Sequence, residues 1–132
     1  MASIVMEAIV RAPAETVWRA VSNFGEAHRV FLGVLSDCRL ESETTRIVTF
    51  ANGLVVSERM IGVDSERRRI AYTVVSGGFE HHGASMQVSG RDDGACRFVW
   101  TCDVLPDSAV ERICPLMNAG IAALKQRFAE GS

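Results

Sequence analysis

Apolar and polar positions alternate over residues 3–11, with Ile4, Met6, Ala8 and Val10 on one face and Glu7 and Arg11 on the other. A period of two is that of a half-buried strand. At residue 12 the pattern changes. Ala12-Pro13-Ala14-Glu15 is a helix start, because proline suits the first turn and Glu15 the positive end of the helix dipole. Val17, Trp18, Val21 and Phe24 follow at helical spacing up to Gly25, and a second short helical or looped segment over 26–32 carries His28, Phe31 and Leu32 to Gly33.

From there the apolar runs are short and the turns frequent. Strands are predicted over 34–41, 45–50, 54–63, 69–75, 82–90 and 95–104, separated by turn clusters that include Asn52-Gly53, Ser76-Gly77-Gly78 and Asp92-Asp93-Gly94. Consecutive strands joined this way form an antiparallel meander. Ile70, Tyr72 and Val74 share one face of their strand, as do Cys96, Phe98, Trp100 and Cys102. Pro106-Asp107-Ser108 opens the last element, with Asp107 or Ser108 as cap. Its apolar stripe is Val110, Ile113, Leu116, Met117, Ile121, Leu124 and Phe128. Pro115 lies inside that stripe and predicts a kink or a split-off first turn.

Strand, helix pair, six strands and long helix make one α+β domain over 1–132. A seven-stranded curved antiparallel sheet must cover its apolar face, and the long C-terminal helix is the main element available. A sheet curved around one helix leaves space near the strand ends, so a mostly apolar cavity of roughly 300–1,000 Å³ is expected there.

Charge narrows the function classes. The formal net charge is −2 with no basic stripe, which argues against nucleic acid as a partner. Arg67-Arg68-Arg69 follows Asp64 and Glu66 and reads as a turn entering a strand. No apolar stretch approaches the roughly 20 residues of a membrane helix, so no stable membrane insertion is expected. Glu7 and Arg11 interrupt the only early apolar run, so no signal layout is expected and the cytoplasm is the default location. Cys38, Cys96, Cys102 and Cys114 form no close CxxC pair, and buried free thiols are expected, with no cofactor and no metal. Thirteen arginines against the single Lys125 suggest a GC-rich bacterial source. A homodimer is left open.

The element order, together with Val10-Arg11-Ala12-Pro13 before Val17-Trp18, resembles the START-related helix-grip superfamily. That group includes polyketide cyclase/dehydrase-like proteins, plant pathogenesis-related ligand binders and the abscisic acid receptors. The resemblance spans nearly the whole chain and implies a helix-grip fold, with two short helices after the first strand. Asn52-Gly53-Leu54, Ser57-Glu58-Arg59-Met60 and Val74-Val75-Ser76-Gly77-Gly78 before a histidine are similar to the receptors' gate and latch region. By that match Gly53 and Leu54 are gate residues, Glu58 a pocket polar group, and His81 or His82 the latch histidine. No proline follows Leu54, and the lysine that anchors the receptors' acid is missing around Cys38, where Ser36 and Asp37 stand. An acidic ligand would lose about 1.5–3 kcal/mol with that anchor. The scaffold carries over; hormone reception does not.

The expected function is binding of a small, mostly apolar molecule between sheet and helix. The alternative is a cyclase or dehydratase working by acid/base catalysis with Glu58, His81 and His82. Adjacent strand residues point to opposite faces, so at most one of the two histidines enters the cavity. Glu58 is a polar anchor or acid/base group if it faces inward, and an outward partner of a cross-strand arginine otherwise. Tyr72, Phe98 and Trp100 are expected walls, with Phe31 and Val74 beside them and Asn52 and Leu54 at the mouth. Ser85 and Gln87 supply sparse polar contacts if their strand turns them inward. On the helix, Leu116, Met117 and Gly120 face the sheet, Gly120 removing bulk where a ligand would lie. No nucleophile elbow or phosphate-binding glycine loop is present.

Overall fold

The strands are β1 (Ala2–Val10), β2 (Leu35–Leu40), β3 (Thr45–Phe50), β4 (Val55–Asp64), β5 (Arg69–Val74), β6 (His81–Gly90) and β7 (Cys96–Leu105). They form one antiparallel sheet in the order β1-β7-β6-β5-β4-β3-β2. The meander predicted from the turns runs from β2 to β7, and β1 returns to pair along the whole of β7, from Ala2 opposite Val104 to Val10 opposite Cys96. This computed structural model describes residues 2–129; residues 1 and 130–132 of the expected domain lie outside the described residues.

Helices α1 (Ala14–Val21) and α2 (Ala27–Val30) bridge β1 and β2, with a 3-10 turn at Phe24–Glu26 between them. Pro13 stands at the cap of α1 with φ −61°, and its carbonyl accepts from the Thr16 and Val17 amides. The proline ring holds the φ that the first turn needs. Ala14, Val17, Trp18 and Val21 form the buried face. Each large side chain among them is worth about 1.5–3 kcal/mol of burial.

The long helix α3 (Val110–Ala129) follows a 3-10 turn at Asp107–Ala109. Met117, Gly120, Leu124 and Phe128 are its buried positions, spaced by three or four residues as one helical face requires. The expected split at Pro115 does not occur. The helix runs through the proline, and the separate turn ends earlier, at Ala109. Pro115 lacks the amide that would bond the Glu111 carbonyl, and one missing bond in the second turn is tolerated. Nor does Asp107 or Ser108 stand at the cap: the 3-10 turn begins at Asp107, with Pro106 before it.

Two irregularities set which side chains enter the interior. The β3–β4 hairpin closes through three residues, 51–53, with the Phe50 amide donating to the Leu54 carbonyl at 2.8 Å, Gly53 at φ +92° and the Leu54 amide donating to Asn52 Oδ1 at 3.0 Å. A two-residue turn on Asn52-Gly53 would set Arg46 opposite Arg59. The longer loop sets Arg46 opposite Glu58. A bulge between Met60 and Gly62 then sets Val63 opposite the buried Ile70, while Val63 itself stays exposed.

Candidate functional site

A partly enclosed cavity of about 120 Å³ lies between the sheet and the N-terminal half of α3. Six strands contribute inward side chains: Leu35 from β2, Arg46, Val48 and Phe50 from β3, Val56 and Glu58 from β4, Tyr72 and Val74 from β5, His82 and Met86 from β6, Trp100 and Cys102 from β7. The sets from β3 to β7 step by two or four residues, which keeps each on one face of its strand. The helix contributes Ile113, Leu116, Met117 and Gly120, and Phe31 and Phe79 close the space from the loops.

Two charged residues are buried among the described residues, Arg46 at 6% exposure and Glu58 at 8%. They face each other across the β3–β4 ladder. Arg46 Nε donates to Glu58 Oε1 at 2.8 Å, Nη2 approaches the same oxygen at 2.7 Å, and Nη1 donates to the Phe24 carbonyl at 3.1 Å. The guanidinium lies 4.1 Å from the centre of the Phe24 ring and 5.3 Å from that of Tyr72. Both bonds from Arg46 fall on one carboxylate oxygen. No described residue donates to Glu58 Oε2.

The remaining polar atoms are neutral. Trp100 Nε1 donates to the Tyr72 hydroxyl at 3.2 Å. Burial, reinforced by the charge of Glu58, pushes the Tyr72 phenol far above its usual range. The Val74 amide donates to His82 Nδ1 at 3.0 Å, which leaves the ring proton on Nε2, 3.6 Å from Cys102 Sγ. Burial first, then the neighbouring His81, lowers the His82 pKa to about 4. Burial raises the Cys102 thiol to about 11. A nucleophilic thiolate–imidazolium pair needs both shifts in the opposite direction, so this is a neutral thiol beside a neutral ring.

The structure brings together Phe31, Glu58, Tyr72, Val74, His82, Trp100, Leu116, Met117 and Gly120 of the residues singled out in the sequence. The others lie elsewhere. Asn52 and Leu54 are exposed at the hairpin tip and do not line the cavity. Ser85 and Gln87 face away from it, because β6 commits His82, Ala84, Met86 and Val88 to the inside; Gln87 Nε2 donates instead to the Arg67 carbonyl at 3.2 Å. His81 is exposed for the same reason of alternation. Phe98 is fully buried behind the wall, its ring edge-on to Trp100 at 6.3 Å. The space that Gly120 vacates is taken by the protein itself: a Cβ there would lie 2.7 Å from the Trp100 ring. These rings also make the cavity smaller than expected, at about 120 Å³.

Arg46 is the charged site residue that the sequence reading missed, and Phe79 is a wall that it missed. An arginine in a strand is by habit assigned to solvent, yet Arg46, Val48 and Phe50 already alternate as one inward set. Glu58 does pair with a cross-strand arginine, and it does so while facing inward.

Sheet, gripped helix and enclosed cavity define the chain as a helix-grip protein. It belongs to the family described as polyketide cyclase / dehydrase and lipid transport, which matches residues 1–130. Among curated proteins none matches the chain. Solved structures are similar over nearly its full length. A protein from Thermobifida fusca, known from a solution NMR structure, is 29% identical with a TM-score of 0.81, covering 98% of this chain and 95% of that one. Norcoclaurine synthase from Thalictrum flavum, in complex with dopamine and hydroxybenzaldehyde, is 20% identical with a TM-score of 0.76, covering 99% and 88%. The di-domain ARO/CYC BexL from the BE-7585A biosynthetic pathway is 16% identical with a TM-score of 0.80, covering 96% of this chain and 46% of that one. The last two likenesses are those of fold. No helix among the described residues is long and apolar enough to cross a membrane.

Proposed function

We propose that this protein binds a small, mostly apolar ligand in the cavity between the sheet and α3. The observation that carries the reading is the cavity itself, walled by Phe31, Phe79 and Trp100 and holding a carboxylate oxygen with no partner among the described residues. Aromatic walls with a few placed polar groups are what a small-molecule site needs: the rings supply burial and the polar atoms supply orientation. Family membership supports the same class of function.

An acid/base cyclase or dehydratase is the second reading, and Glu58 Oε2 is the atom that favours it. Arg46 holds that carboxylate by two contacts on its other oxygen, and the neutral His82 ring turns its Nε2 to Cys102 Sγ on the same cavity wall. Catalysis on this site therefore rests on Glu58 alone, without the paired histidines. Native mass spectrometry of protein purified from its own source tests the leading reading. A co-purifying small molecule of low polarity is expected. With that compound in hand, Glu58→Gln separates the two readings: turnover collapses if the protein is an enzyme, and binding falls only modestly if it is not.

A further inference from the structure

The geometry points to a single-ring phenol as the ligand, its hydroxyl read at once by Tyr72 as donor and Glu58 as acceptor. This deepens the ligand-binding reading and rests on it.

Size comes first. A cavity of about 150 Å³ takes benzene. The space here is about 120 Å³, walled by rings that already lie against one another, with Phe31 and Trp100 at 5.5 Å between centres and tilted by 30°. One six-membered ring fits that space, and a fused polycycle would have to extend through its open side.

The polar atoms then select the substituent. An indole N–H can only donate, so Trp100 fixes the Tyr72 oxygen as its acceptor and turns the phenolic hydrogen away. No described residue accepts that hydrogen. On the neighbouring strand Glu58 offers the reverse, an oxygen that can only accept and that no described donor reaches. Tyr72 stands opposite Met60 and Glu58 opposite Val74, so the two are diagonal neighbours on one face of the β4–β5 ladder. A hydroxyl accepts one hydrogen bond and donates another, which satisfies both groups at once. A ligand hydroxyl there gives the hydrogen of the buried Tyr72 an acceptor that the protein does not supply.

Charge excludes the nearest competitors. A benzoate would bring its negative oxygen to Glu58, while the charge of Arg46 is already paired with that carboxylate. An ammonium offers nothing for the Tyr72 hydroxyl to donate to. An apolar ring of the same shape leaves both groups unmet.

Isothermal titration of the full chain with phenol, toluene, benzoate and 2-naphthol tests this. Phenol and toluene have nearly the same shape, so their difference reads the hydroxyl without altering the protein. Phenol is expected to bind at least about tenfold more tightly than toluene, with benzoate showing no saturable binding and 2-naphthol binding more weakly than phenol. Tyr72→Phe should reduce phenol affinity about tenfold and leave toluene unchanged. Toluene binding as tightly as phenol overturns the hydroxyl reading while the ligand-binding function stands. Tighter binding of 2-naphthol overturns the one-ring limit. No binding by either ring compound overturns this proposal and the reading beneath it.

Discussion

β6 and β7 run through two different interiors. At the end beside α1, Val88, Cys96 and Phe98 are at most 1% exposed, and Gly90 brings the strand close to Ala14 of the helix. At the other end the same two strands present Met86, Trp100, Cys102 and His82 to a cavity. Both ends are covered by helices, so cover does not explain the difference. Side-chain shape and polarity do. At the α1 end Val17, Val21 and Val88 fill the space around the Trp18 and Phe98 rings, and no charged group of the described residues is buried among them. At the other end flat rings meet at fixed tilts, and a buried ion pair and a histidine are pinned by hydrogen bonds to backbone atoms. Groups held in place by directional bonds cannot slide together to close a gap.

Substitutions at the two ends test that contrast. Phe98→Ala removes a fully buried ring from the filled end and should cost about 3–5 kcal/mol in urea unfolding. Phe79→Ala at the cavity should cost about 1 kcal/mol, because the ring is only half-buried. Equal losses would mean that the two ends are packed alike.

Arg46→Met leaves Glu58 buried without its cation and should cost about 3 kcal/mol. Arg46→Met combined with Glu58→Leu should recover most of that loss in the same unfolding measurement. A double variant as unstable as the single would show that the ion pair is not what holds this end open.

Gly120→Ala places a methyl group against the Trp100 ring and should cost about 2 kcal/mol, together with a change in near-ultraviolet circular dichroism.

The smallest effect is one of pH. His82 titrates near 6.5 in the unfolded chain and at about 4 in the folded one. Between those values the unfolded state binds more protons, so stability falls as pH drops through that window and is unaffected above it. The ring is partly exposed, which reduces the loss to about 1 kcal/mol. His82→Asn should remove the slope between pH 6.5 and 4, measured by urea unfolding across that range.

The strands were most legible where their alternation is uninterrupted: β3 falls at residues 45–50 as the pattern predicts, and the inward sets of β5 and β7 contain the same aromatic residues. Sequence alone could not place Glu58. Its side is fixed by a hairpin register that depends on a three-residue loop, and the Asn52-Gly53 dipeptide suggests a two-residue one. Ser85 and Gln87 were open in the same way, until the face taken by His82 and Met86 settled their direction. Cavity volume was the least legible quantity of all, since it depends on ring tilts between Phe31, Trp100 and Phe98 that no periodicity encodes.

The two tryptophans sit one in each interior: Trp18 on α1 in the filled end, Trp100 in the cavity wall with its indole N–H on Tyr72. Proton–nitrogen correlation spectra of the labelled chain, followed while phenol is added, report on both at once. The Trp100 indole signal should move along a saturable curve while that of Trp18 stays in place. Movement of the Trp18 signal, or of neither, would contradict a ligand site at the open end of the sheet.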